Sequence, residues 1–424
     1  MARRHPRLEV WLRGRHVASL TEPSPFRYRL EFTEEALDEF GPGARVLSLS
    51  LPVTEDPTAD HRTDPMRRPV SAFLEGLLPE GGLRSQLAST LGVASVDKMA
   101  LLDQVGGECA GAVQFLRPGV SPTSGTVRPL STDEVIQIVT DVPTHHLPEG
   151  AAPQASLAGI QDKVLLSCLA DGHWGWPTEG APSSHIIKPE PGAGSALEHL
   201  VQAEHWAMQV AAEAGMRAAA TALEVFGERL AIVVTRYDRD LDGGRLHQED
   251  FCQALSLDPQ AKYEAPAERR RGGTRLRRLV DMASPRALDP DLFRRELLSL
   301  VAFNVVIGNG DAHSKNYSLL LGPRGEVSLA PLYDAAPVML LSPRFRNTGH
   351  VINGRTHIDR VTLDDLVEEA ASWGLAPTRA KKTLEETIER TWDAAHAVPL
   401  PEGTDHVLPR LEELWKRRSW RPAG

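Results

Sequence analysis

An α+β chain of two or three domains is what the sequence predicts, on three observations. At 424 residues the chain is too long for one compact core. Up to about residue 240, short alternating apolar runs bounded by turn residues are mixed with helical segments. Beyond Asp240 the pattern turns largely helical and stays so to the Trp- and Arg-rich end, apart from one hairpin.

The first unit, residues 1–120, opens with LEVWLRGRHVASL, a hairpin around Arg13-Gly14-Arg15. FRYRLEF (26–32) alternates in the same way, and VLSLSLP (46–52) reads as another half-buried strand ended by Pro52. Residues 70–92 read as helical pieces broken at Pro79-Glu80-Gly81-Gly82, and MALLDQVGGECAGAVQFL as a helix, a turn and a strand. No catalytic constellation is visible in this unit. Residues 118–130 are rich in Pro, Ser, Gly and Thr and read as a linker, followed by a short helix, Thr132 to Val139. The second unit, 130–239, contains a small-residue turn leading into VLLSCL, then HIIKPEP, a helix from about Ser195 to Ala214 and the hairpin ALEVFGERLAIVVTRYDRD. The third, 240–424, is the helical part. No internal repeat is present.

Composition narrows the class. The chain is 41% hydrophobic and 25% charged, as soluble globular proteins are. No apolar run approaches the ~20 residues that span a bilayer, and MARRHPRLEVWL lacks the apolar core of a secretion signal. Cys109, Cys168 and Cys252 form no CxxC pair, so a reducing cytoplasm is expected. A net charge of −10 argues against a wholly basic nucleic-acid binder. HExxH and GxSxG are absent, which leaves no zinc site and no serine-hydrolase elbow to propose.

The chemistry concentrates between Phe303 and Asp334, in FNVVIGNGDAHSKNYSLLL and VSLAPLYDAAP. An apolar run ends at a polar knot holding Asn309, Gly310, Asp311, His313, Lys315 and Asn316, and Asp334 follows one hairpin later. Phosphoryl transfer needs such a set: one carboxylate to accept the nucleophile's proton, an amide oxygen and a second carboxylate to hold magnesium against nucleotide phosphates. An Asn/Gly/Asp turn between a helix and a hairpin suits the same residues. Lys188 follows a short apolar strand, where an ammonium can pair with phosphates or simply be solvated. The helix after it carries a stripe of Leu197, Leu200, Val201, Met208 and Ala211, and Glu204 falls on that stripe. A carboxylate facing a core requires a cation, and Lys188 is the natural one.

Other segments are less specific. Ser156 to Lys163, SLAGIQDK, offers small residues that let backbone amides approach phosphates, yet it matches neither glycine-rich consensus. Thr235-Arg236-Tyr237 ends an apolar strand and suits either an inter-lobe connection or a charged strand-to-loop junction. HQEDFCQALSL reads as a helix start with two acids in its first turn. RRRGGTRLRR (269–278) could be a solvated loop or could meet a phosphorylated or nucleic-acid partner.

Taken together and in order, LSLSLP, FLEGLLPE, ECAGAVQFL, SLAGIQDK, HIIKPEP, TRYDRD, HQEDFCQALSL, GNGDAHSKN and LAPLYDAAP resemble the HipA-type serine/threonine toxin kinases. That resemblance implies a two-lobed protein-kinase-like fold with an extra small N-terminal α/β subdomain and a helical C-terminal lobe. It implies ATP and Mg2+ as cofactors, Asp311 as catalytic base, and Asn316 and Asp334 as metal ligands. Nucleotide contacts would come from Ala158, Gly159, Ile160, Gln161, Asp162 and Lys163 in a phosphate-binding loop, from Lys188, and from Thr235, Arg236 and Tyr237. His313, Lys315 and Tyr333 would line the same site, and Glu204 would position Lys188. Ser156 matches the family's autophosphorylated serine, where about −2 of added charge beside ATP phosphates would inactivate the enzyme. The implied partners are a DNA-binding antitoxin, operator DNA reached mainly through it, and a translation-related protein substrate such as an aminoacyl-tRNA synthetase. A small-molecule phosphotransferase of the same fold and a non-catalytic ATP- or DNA-binding regulator are the alternatives.

Overall fold

Alternation in the first 32 residues builds one sheet. The computed structural model describes residues 7–61, 68–142, 162–192, 194–240, 244–271, 273–418 and 420. Arg7–Leu12 pairs with Arg15–Ser24, and that strand with Arg27–Phe32, all antiparallel. Thr58–Ala59 and Val113–Leu116 close the two edges of this five-stranded sheet. Its inward residues, including Val10, Leu20, Leu30 and Phe115, are buried with Phe73, Leu87 and Leu102 from three helices, Pro69–Leu77, Gly81–Leu91 and Lys98–Val105 respectively.

The second unit is a six-stranded antiparallel sheet. Its order runs Thr221–Phe226, Arg229–Thr235, His185–Pro189, Val164–Cys168, Trp174–Thr178 and Thr126–Pro129. The stretch expected as a linker therefore ends in an edge strand, where Pro129 costs no ladder hydrogen bond. The helix Leu200–Glu213 packs on this sheet and faces Pro377–Ala397 of the third unit. That third unit is built on Pro290–Ile307, whose residues from Leu297 to Ile307 are buried apart from half-exposed Ser299, with Arg275–Ala283, Leu363–Ser372 and Val407–Arg417 around it. Gln248–Asp250, Ser318–Leu321 and Val327–Leu329 form a small sheet at its top. Among the described residues no helix is long and apolar enough to cross a membrane.

Two local readings change. VLSLSLP is not a half-buried strand: Val46, Leu47, Leu49 and Leu51 are all fully buried around a turn bridged from Ser48 to Leu51. Its second face is covered by the helical lobe, a contact that alternation along one strand does not report. Gln248–Asp250 is a strand rather than a helical turn, and the helix begins at Phe251 with Asp250 as its N-cap in a capping box with Gln253.

These same segments fix the first unit to the rest. Glu249 accepts from the Leu49 amide (2.8 Å) and the Ser48 hydroxyl (2.5 Å), and the His247 ring is 2.7 Å from the Leu47 carbonyl. Beside them lies a buried ion cluster. Glu108, 1% exposed, meets Arg236 (2.8 Å), Arg239 (3.0 Å) and Arg245 (2.5 Å), while Arg236 grips Asp238 through two nitrogens at 2.9 and 2.8 Å. Burial alone would raise the Glu108 carboxyl, but the three guanidinium groups more than offset it and hold it below the usual glutamate range.

Three arginines that share two carboxylates leave no spare anion. Glu108→Gln is therefore expected to lower the unfolding free energy by about 3–5 kcal/mol, read from urea denaturation at pH 7. Because the folded Glu108 has the lower pKa, its contribution is present above the unfolded value and fades as pH falls through the folded one. The gap between wild type and variant should accordingly narrow in acid. A gap that stays constant from neutral pH down to pH 3 would contradict this account.

Candidate active site

A long helix aims the polar knot. Pro290–Ile307 ends at Gly308, whose φ of 79° is the left-handed cap that glycine adopts without strain, with its amide bonded to Asn304. Asn309 then turns inward, donating from Nδ2 to Asn304 Oδ1 (2.7 Å) and accepting from the Asp311 amide (3.1 Å). Gly310 passes so close to Phe345 that a Cβ would sit 1.9 Å from its carbonyl oxygen. The backbone around Asp311 is thus held on both sides. Asn316, in a short 3-10 turn, donates from Nδ2 to the Asp311 carbonyl (2.9 Å), which directs its amide oxygen away from that carbonyl.

Asp334 comes from beyond the strand Val327–Leu329 with φ 55°, a left-handed conformation that Asp tolerates better than most side chains. Its Oδ1 lies 2.5 Å from Lys188 Nζ, and the same ammonium lies 2.8 Å from Glu204 Oε1. Lys188 stands in the middle of the second sheet opposite Ile232, and it is 6% exposed where Glu204 is 2% exposed. Burial disfavours the Lys188 charge, but its two carboxylate partners outweigh that and raise its pKa. Burial likewise raises Glu204, with Lys188 pulling it back, whereas at Asp334 the lysine prevails over burial and holds the carboxyl below the ordinary range.

These groups face one cavity of about 460 Å³ between the sheet and the helical lobe. Lys163, Lys188, Asp311, His313, Lys315, Asn316, Tyr333 and Asp334 all line it, over an apolar wall that includes Ile186, Leu200, Ala219 and Val234. Thr235, Arg236 and Tyr237 edge the cavity, but the Arg236 side chain is spent in the ion cluster, which leaves backbone to face a ligand there. Tyr237 stacks at 5.7 Å on Tyr333, whose hydroxyl donates to the Lys315 carbonyl (2.7 Å). Lys315 itself is anchored by Asp250 at 2.9 Å. Burial, with Lys188 nearby, pushes Lys163 down to about 8, and burial with Lys262 nearby pushes His313 down to about 3. Asp162 is described as well, while Ser156, Ala158, Gly159, Ile160 and Gln161 lie outside the described residues.

Two wall residues had no signal in the sequence. Glu80, from the first unit, comes within 3.7 Å of both Lys262 and Lys315, so the unit without its own chemistry still supplies a carboxylate to the cavity. Tyr263 donates its hydroxyl to Asp311 Oδ1. Burial raises the Asp311 carboxyl, and the Tyr263 hydrogen bond partly offsets that.

A sheet lobe and a helical lobe enclosing a lysine–glutamate pair, opposite an Asp and an Asn–Asp oxygen pair, define a phosphotransferase of the kinase type. Residues 8–116 match the HipA N-terminal domain model and residues 155–395 the HipA-like C-terminal domain model. The chain belongs to the HipA family and is a kinase of that serine/threonine toxin-kinase group. It is 35% identical over 405 residues to Sinorhizobium fredii Y4mE, covering 92% of this chain and 91% of that one. It is 34% identical over 283 residues to the Shewanella oneidensis serine/threonine-protein kinase toxin HipA, covering 63% of each. The fold overlays the solved complex of Shewanella oneidensis HipA with HipB and operator DNA at a TM-score of 0.76, with 26% identity, over 97% of this chain and 96% of that one.

The Lys188–Glu204 pair should show strong coupling. Lys188→Met strands a buried carboxylate and is expected to cost about 3–5 kcal/mol, whereas adding Glu204→Gln should recover about 1–3 kcal/mol of it. A thermal or urea double-mutant cycle reads this, and strictly additive losses would contradict the pairing.

Proposed function

We propose that this chain is an ATP- and magnesium-dependent protein serine/threonine kinase acting as the toxin of a toxin–antitoxin pair. The observation that carries the reading is the convergence of Lys188, Glu204, Asp311, Asn316 and Asp334 on one cavity. Its volume suits a nucleotide-sized ligand, and the apolar wall suits a planar base. In this reading Lys188 meets the phosphates and Glu204 keeps it aimed, and by family likeness Ala158 to Lys163 match the phosphate-binding loop. The backbone of 235–237 bonds the adenine, and His313, Lys315 and Tyr333 form the rest of the nucleotide wall.

The Asn316 amide oxygen and the Asp334 carboxylate fit magnesium. They are hard oxygen donors, and two protein ligands are what this ion takes when phosphates and water complete its shell. Bound there, the ion would neutralise charge on the transferring phosphoryl group. Asp311 accepts the proton of the acceptor hydroxyl. Tyr237 and Tyr333, packed against each other, form part of the wall around the nucleotide.

The partner and substrate rest on family likeness. Shewanella HipA assembles with HipB and operator DNA, which supports a DNA-binding antitoxin for this chain, with DNA contacted mainly through it, in the cytoplasm. The HipA resemblance points to a translation-related protein substrate, with an aminoacyl-tRNA synthetase as the leading candidate, and to Ser156 as the self-modified residue.

Incubation of the wild-type chain with ATP and Mg2+, followed by mass spectrometry, should show one phosphate on Ser156. Asp311→Ala should slow its appearance by about two to four orders of magnitude, the usual contribution of a general base. A wild type that transfers no phosphate to Ser156 or to any candidate protein acceptor would sink the reading.

A further inference from the structure

We infer, on the reading of Asp311 as the base, that the Tyr263 phenol is an intramolecular occupant of the acceptor position, which an incoming hydroxyl must displace before phosphoryl transfer. Tyr263 Oη donates to Asp311 Oδ1. An O–H donated to this carboxylate is the contact that an acceptor serine must make in order to lose its proton. Tyr263 is 38% exposed and lies edge-on to His313 at a centroid distance of 5.1 Å, so it spans from solvent to the base.

The backbone under this side chain is fixed. The Lys262 carbonyl accepts from the Ser314 amide and from Arg275 Nη1, each at 3.1 Å. The Glu264 amide donates to Gly349 at 2.9 Å, and the Glu264 carboxylate accepts from the Arg275 and Val351 amides, both at 2.9 Å. Arg275, fully buried, is held in turn by Glu268 at 2.7 Å. Opening the acceptor position is therefore a rotation of one phenol and needs no movement of the chain.

The test uses the full chain with ATP and Mg2+ and water as the acceptor, following ADP formation in wild type, Tyr263→Phe, Asp311→Asn and the double variant. Tyr263→Phe keeps the ring on His313 and removes only the hydroxyl. It should raise kcat for ADP formation roughly fivefold, the rate equivalent of one net hydrogen bond no longer broken, with KM for ATP unchanged. Tyr263→Leu, which removes the ring as well, should shift the rate in the same direction. A Tyr263→Phe rate equal to or below wild type, zero included, overturns the inference, as does phosphate found on Tyr263 itself, which would make the phenol an acceptor rather than a barrier. Asp311→Asn distinguishes the two levels. If it leaves the parent rate intact, the base assignment falls and the inference with it; if it abolishes the rate while Tyr263→Phe brings no rise, the inference alone falls.

Discussion

One buried ammonium shared by two carboxylates sets the terms for the whole catalytic half. Lys188 cannot be withdrawn from solvent without anions, and Glu204, on a core-facing stripe, cannot be buried without a cation. Their mutual need ties the helix Leu200–Glu213 to the strand His185–Pro189, and so fixes the back of the cavity. Asp334, the third member, is the only one of the three tethered to the helical lobe. The trio carries one positive and two negative charges, and the neighbouring ammonium of Lys163 also favours the ionised forms of Asp334 and Glu204. The lobes are thereby linked by a contact whose second carboxylate can be given up to an ion without leaving Lys188 alone.

The first unit plays a supporting part of the same physical kind. Glu108 gathers Arg236, Arg239 and Arg245, and these arginines lie on the strand end and loop that border the cavity. Glu249 and His247 reach back to the turn at Leu47–Leu49. The edge of the cavity at 235–237 is therefore braced from outside by charges buried between domains. Glu80 extends that bracing into the wall itself, beside Lys262 and Lys315.

Much of this was legible in the sequence, for identifiable reasons. Period-2 alternation located the first three strands of the first sheet, and the spacing of Asp311, Asn316 and Asp334 picked out residues that line one cavity, because both are local patterns. The Lys188–Glu204 contact was readable because an acid on an apolar stripe demands a partner nearby. What stayed hidden is set by contacts between distant segments. VLSLSLP alternates like a half-buried strand, yet it is covered on its second face by residues some two hundred positions away. Gln248–Asp250 pairs with Ser318–Leu321, so its acids cap a helix rather than enter it. Tyr263 carries no pattern at all, since its position comes from Glu264 and Arg275, whose burial no periodicity announces.

The central claim is that Asp334 trades its bond to Lys188 for a metal carrying the nucleotide. Calorimetric affinity for ATP, with Mg2+ and with a chelator, in wild type and Asp334→Asn, tests it most directly. The account predicts that wild type strongly prefers the magnesium complex. It also predicts that Asp334→Asn loses most of that preference while keeping its metal-free affinity, because Lys188 and Glu204 remain in place. An unchanged preference for magnesium in Asp334→Asn would contradict it.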